Sequence, residues 1–199
     1  PAGHRPAAAG CPAPIATMNF IPLEIPDVIL VEPDVFGDAR GFFTETFHAG
    51  KYAAAGIDRA FVQDNYSYSR RGILRGLHFQ LRQPQAKLVY VARGVIFDVA
   101  VDIRRRSPTF GRWVGRLLSG ENHRQMFVPE GFAHGFCVVS EEVEVMYKCS
   151  ALYDPADDRG IIWNDPDVAV QWPDVTPILS GKDQKLPLLR ELKPEQLPD

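Results

Sequence analysis

The chain has 199 residues, 45% of them hydrophobic, and a formal net charge of −3 at pH 7. That is enough apolar material for one ordinary domain with a real core, and it supplies no general attraction to a nucleic-acid backbone. No stretch approaches the roughly 18 apolar residues of a membrane span, so neither a nucleic acid nor a membrane is an expected partner.

Residues 1–17 are nearly all Pro, Ala and Gly and lack the larger apolar run of a secretory signal. They read as a disordered leader or an upstream extension, with residues 18–199 as the single domain and Met18 as the start of ordinary composition. Cys11, Cys137 and Cys149 form an odd set without Cys-x-x-Cys spacing, which fits reduced thiols in a cytoplasmic protein. Cys137 and Cys149 lie in apolar runs and read as small buried hydrophobes.

Seventeen prolines and sixteen glycines among many Val, Ile and Phe favour short strands joined by turns. Val28 to Val31 is a short apolar run ending near Pro33, and 37–41 reads as a turn before an aromatic strand, Phe42 to Phe47. A short helix is expected at Lys51 to Ala55, then strands at Phe61 to Ser67 and Leu74 to Gln80. The clearest β signal is Lys87 to Val91, a turn at Arg93-Gly94, and Val95 to Ile103. In that last strand Val95, Phe97, Val99, Val101 and Ile103 share a dry face, whereas Ile96, Asp98, Ala100 and Asp102 share a more polar one, as in a barrel with a polar lumen. Trp113 to Leu118, Gln125 to Pro129, His134 to Ser140 and Val143 to Cys149 continue the series, the last two expected as a hairpin across Glu141-Glu142. The tail from Asp183 to Leu192 has a weaker helical pattern. The absence of a Walker A loop and of Gly-x-Gly-x-x-Gly makes a Rossmann or P-loop enzyme a poor reading.

Pro129-Glu130-Gly131-Phe132-Ala133-His134 resembles the second motif of the cupin superfamily, in which Pro-x-Gly-x-x-His places a histidine inside a jelly-roll barrel. The resemblance implies an all-β, cupin-like jelly-roll barrel with a few short helices. Metal-binding cupins add an earlier His-x-His and a downstream Glu, because a divalent ion needs three or four N or O donors. This chain has His78-Phe79-Gln80 there, which favours a barrel without a metal. Gly76 inside the preceding strand suggests a bulge, and a bulge would let both Arg75 and His78 face the lumen.

Several collinear motifs carry a closer resemblance: Gln63-Asp64-Asn65, Arg75-Gly76-Leu77-His78-Phe79-Gln80 and Lys87-Leu88-Val89, with Arg40-Gly41-Phe42-Phe43 and Glu45 before them. Phe97-Asp98-Val99, Ser107-Pro108-Thr109-Phe110-Gly111 and Trp163-Asn164-Asp165 follow. Together these resemble the dTDP-4-dehydrorhamnose 3,5-epimerase family over about Val31 to Asp183. The resemblance implies an isomerase, acting without a cofactor, that converts dTDP-4-dehydro-6-deoxy-D-glucose to dTDP-4-dehydro-L-rhamnose in dTDP-L-rhamnose biosynthesis. The alternatives are a C3-only epimerase of a related dTDP-4-keto-6-deoxy sugar and a non-catalytic sugar-binding cupin.

C3 and C5 both flank the ketone, so inverting either needs a base on one face, an acid on the other and a cation at the ketone oxygen. By resemblance His78 is the base, Asp183 the carboxylate that orients it, Tyr147 the acid and Lys87 the cation. An imidazole, with a reference pKa near 6.5, suits proton abstraction near neutral pH. Arg40, Phe43, Glu45, Gln63, Asp64, Asn65, Arg75, Lys87, His134, Asp158 and Lys182 are implied to bind the nucleotide sugar. Family members are homodimers that exchange N-terminal strands, which would give Arg40, Phe43 and Glu45 to the partner's site. The residues taken alone leave other roles open: His78 as a core histidine, Tyr147 as an amphipathic core residue, Lys87 as a strand-end charge, Asp183 as a helix N-cap after Ser180-Gly181-Lys182.

Overall fold

β-branched and aromatic residues in runs of four to eight, punctuated by Gly and Pro, form strands because their side chains pack on a pleated surface while the punctuation turns the chain. The computed structural model describes residues 18–199; the expected leader, and Cys11 within it, lie outside the described residues. In chain order the elements are β1 (Asn19–Pro22), β2 (Ile29–Glu32), β3 (Val35–Asp38), β4 (Gly41–Thr44), α1 (Ala49–Ala54), β5 (Gln63–Arg70) and β6 (Leu74–Gln80). There follow β7 (Lys87–Arg93), β8 (Val95–Asp102), β9 (Trp113–Ser119), β10 (Gln125–Val128), β11 (Phe132–Val138), β12 (Glu142–Cys149) and β13 (Asp158–Gly160).

Two antiparallel sheets face each other, a six-stranded one in the order β1-β2-β10-β7-β12-β5 and a five-stranded one in the order β13-β6-β11-β8-β9. This is an all-β, cupin-like jelly roll. Successive strands often change sheet, and that corrects one expectation: β11 and β12 are not a hairpin. β11 pairs with β6 and β8, β12 with β5 and β7, and 139–141 carries the chain from one sheet to the other. Ser140 holds that corner, accepting from Val95 N at 2.8 Å and donating to Glu142 O at 2.7 Å. The expected aromatic strand stops at Thr44 and pairs with Val35–Asp38 across a turn at Ala39-Arg40, inside the expected turn, so β3 and β4 form a separate two-stranded hairpin. The tail forms short 3-10 turns at Asp183–Lys185, Leu189–Glu191 and Pro194–Gln196 in place of a longer helix.

The main core lies between the sheets, with Val89, Val91 and Val145 meeting Ile96, Ala100, Phe136 and Val138. A second core lies outside the five-stranded sheet, where Val99, Val101 and Ile103 pack under Ile161, Val168, Leu189 and Leu197. The dry face of β8 is therefore covered by the C-terminal tail, and its other face, with Asp98, looks into the barrel. Asp102 shares that parity but is spent at the barrel end, bound by Arg104 at 2.8 Å and Thr109 at 2.6 Å. Cys137 and Cys149 are free and buried. No helix among the described residues is long and apolar enough to cross a membrane.

Candidate active site

The site is built on an irregularity in β6. His134 of β11 is opposite His78, but Phe136 is opposite Arg75, so two residues of one strand span three of the other. The extra residue is the bulge expected at Gly76. Leu77 turns outward into the second core, and Arg75 and His78, three positions apart, both line the lumen. Glycine is required on both sides of this seam: a Cβ on Gly135 would lie 2.5 Å from Arg75 O, and Gly76 has φ of 128°.

The larger lobe of the cavity, about 500 Å3, is lined by Arg75, His78, Lys87, His134, Tyr147, Lys182 and Asp183, among others. A smaller lobe of about 280 Å3 takes Gln63, Asn65 and Asp158. His78, Lys87 and Tyr147 line both lobes and stand at their junction.

His78 Nε2 is 2.8 Å from Asp183 Oδ1. Burial pushes the Asp183 carboxyl up, but the His78 hydrogen bond and charge, the Gly76 N–H and the Ser180 hydroxyl together hold it below the usual carboxylate range. Asp183 is not an N-cap. Ser180 Oγ does that work, accepting from Asp183 N at 3.0 Å, which leaves the carboxylate free for the imidazole. Burial lowers the Lys87 ammonium, partly offset by Cys149, Asp158 and Asp98. Burial likewise raises the Tyr147 hydroxyl, so it keeps its proton at neutral pH. Asp158 is tied to Lys182 by an ion pair and accepts from Tyr153 OH at 2.8 Å.

Four of the residues read from the sequence lie elsewhere. Strand alternation sends Gln63 and Asn65 inward and Asp64 outward, where Lys148 Nζ meets it at 3.0 Å. Arg40 and Phe43 lie on the β3–β4 hairpin, with Arg40 paired to Asp38 and Phe43 67% exposed. Glu45 follows the hairpin and pairs with Lys51 at 2.8 Å. One residue was missed: Asp98, fully buried, lies 2.9 Å from His134 Nε2. Its signal was a carboxylate at lumen parity in the middle of β8, with apolar residues on both sides. Among the described residues no three His, Cys, Asp or Glu side chains gather as a metal ion would need.

A sequence profile described as dTDP-4-dehydrorhamnose 3,5-epimerase matches residues 22–191. The chain belongs to this epimerase family. It is 56% identical over 170 residues to the dTDP-4-dehydrorhamnose 3,5-epimerase of Pseudomonas aeruginosa, covering 84% of this chain and 94% of that one. The corresponding enzyme of Shigella flexneri is 55% identical over 168 residues, covering 83% and 93%. A crystal structure of the dTDP-6-deoxy-D-glucose-3,5-epimerase of Legionella pneumophila in complex with dTDP-4-keto-L-rhamnose superposes with a TM-score of 0.90 at 49% identity, covering 92% of this chain and 98% of that one. The epimerase-family match thus spans both sheets and every cavity residue named above.

Proposed function

We propose that this chain inverts C5 and C3 of dTDP-4-dehydro-6-deoxy-D-glucose to give dTDP-4-dehydro-L-rhamnose. The observation that carries the reading is the meeting of one imidazole–carboxylate pair, one ammonium and one phenol at the junction of two lobes, one suited to a sugar and one to part of a nucleotide. With Nε2–H donated to Asp183, the lone pair of His78 is on Nδ1, and this atom takes the C5 proton. Lys87 offsets the charge that develops on the ketone oxygen, and low water access strengthens the effect. Tyr147 returns a proton to the opposite face; once the imidazolium has given its proton to solvent and the phenolate has regained one, the same sequence at C3 completes the inversion. Arg75 eases the transient phenolate by its charge. The side chains supply all of this chemistry, so the reading needs no cofactor.

Arg40, Phe43 and Glu45 enter the reading through a homodimer with exchanged N-terminal strands. Its support is a hairpin that leaves Phe36, Phe42 and Phe43 exposed and makes no strand pairing with the other described residues. Free cysteines fit a reducing compartment, and we place the reaction in the cytoplasm.

Incubation with the substrate in deuterium oxide tests the chemistry. The expected product is of the L-series with deuterium at both C3 and C5, read by NMR. Label at C3 alone with a D-series product would make the chain a C3-only epimerase, and no label at either carbon would make it a binding protein.

A further inference from the structure

A second imidazole–carboxylate pair stands beside the first. His134 is the register partner of His78, so the two rings share one face of the sheet, and each has its Nε2 against a carboxylate, at 2.9 Å for Asp98 and 2.8 Å for Asp183. Their surroundings differ. Gly76 and Ser180 help hold the Asp183 carboxyl below its usual range, whereas Asp98 is 0% exposed, has His134 as its hydrogen-bond partner and leaves Oδ2 with none among the described residues.

This scarcity of donors decides where the His134 proton sits. Were Nε2 to carry the lone pair, an ionised Asp98 would be buried with no side-chain or backbone donor among the described residues, and two lone pairs would face each other at 2.9 Å. The alternative, a protonated Asp98 donating to the ring, would take from the buried Lys87 ammonium a negative charge that favours it. Nε2–H therefore donates to Asp98, and Nδ1 carries the lone pair of a side chain that lines the larger lobe.

We propose that Asp98 is a positioning residue: it fixes His134 in the Nε2–H tautomer so that Nδ1 accepts a hydrogen bond from the C2 hydroxyl of the bound sugar. The choice of hydroxyl rests on the epimerase reading and follows from its stereochemistry. C4 is the ketone and C6 a methyl. C3 and C5 both change hand, which carries the C3 hydroxyl and the methyl across the ring. C2 alone keeps both its configuration and a free hydroxyl through the reaction, and a buried acceptor that cannot move suits a group that does not move.

Two measurements test this on the full chain. In ligand-free protein labelled with nitrogen-15 histidine, the His134 spectrum is expected to show a protonated Nε2 and a bare Nδ1; the opposite tautomer, or a doubly protonated ring at neutral pH, overturns the proposal. The second compares the substrate with its 2-deoxy analogue. Asp98→Asn, whose amide can donate to Nε2 and so force the other tautomer, is expected to lower kcat/KM about 10- to 100-fold for the substrate, but less than about threefold for the analogue. Equal losses on both substrates indicate a merely structural role and overturn it. If Asp98→Asn does not fold, His134→Phe is assayed on the same pair of substrates, and the same split is expected. Wild-type protein that turns over neither substrate defeats the epimerase reading and the C2 assignment together, while the spectrum still reports the tautomer by itself.

Discussion

The lumen of the barrel and the β3–β4 hairpin contain residues of the same family motifs, yet they are held in opposite ways. In the lumen, His78, Lys87 and Tyr147 sit on strands paired on both sides, and their positions are set by this chain alone. In the hairpin, two four-residue strands pair, among the described residues, only with each other, and the Arg40 side chain is 89% exposed. A two-stranded ribbon of that length has little stability of its own in water. The difference teaches that most of the proposed ligand set is assembled within one chain, whereas the share on the hairpin is not brought to that cavity by its own chain.

The strongest test of the lumen half is His78→Ala. We expect kcat to fall on the order of 10 000-fold while the affinity for dTDP-sugar, measured by calorimetry, stays within about threefold; activity near wild type would move the base elsewhere. Next in size is Gly135→Ala, which would press a methyl group against the Arg75 carbonyl and should cost about 1–3 kcal/mol of stability in denaturant unfolding. An unchanged midpoint would mean that the bulge relaxes freely.

The hairpin half predicts complementation. Arg40→Ala should raise KM about tenfold, the loss expected of one exposed charged contact to a ligand, and leave the unfolding midpoint of the protein within about 0.5 kcal/mol. Mixed with His78→Ala protomers, it should regain activity, because one of the two sites in a mixed dimer would then be intact. A mixture no more active than its parts would put Arg40 outside the partner's site.

The smallest effect concerns acid. The Asp183 carboxyl is held below its ordinary value, so its ionised form contributes stability that is fully present above about pH 4 and is lost as the pH falls through the lowered native value. Asp183→Asn removes that contribution. The stability gap between wild type and variant should therefore narrow on acidification below about pH 4 in urea titrations, and a gap independent of pH would detach Asp183 from the ionised pair.

Much of this arrangement was legible in the sequence where one local rule acts alone. Alternation along β8 put Asp98 on the lumen side, and a glycine inside β6 announced the bulge that turns Arg75 and His78 the same way. Long-range partnership was not legible in the same manner. A strand that ends in one sheet and resumes in the other looks, residue by residue, like a hairpin, as in the one expected across Glu141-Glu142; only the pairing of β11 with β8 and of β12 with β7 separates the cases. Asp64 is implied as a ligand residue only by its place in the Gln63-Asp64-Asn65 motif, whereas alternation forbids three consecutive residues from facing one way and sends it outward. Asp98 was placed on the correct face, but its role depends on His134, 36 positions away along the chain.

The two lobes that meet at His78, Lys87 and Tyr147 also bear on how such a site can be blocked. Lobes of about 500 and 280 Å3 with three shared wall residues suit two small, weakly binding fragments, one in each. Joined by a tether short enough to pass the junction, the second fragment would meet its lobe at an effective concentration in the millimolar range, and overall affinity could exceed either part by about 100-fold or more. The junction that serves proton transfer would then also dictate the length and stiffness of the linker.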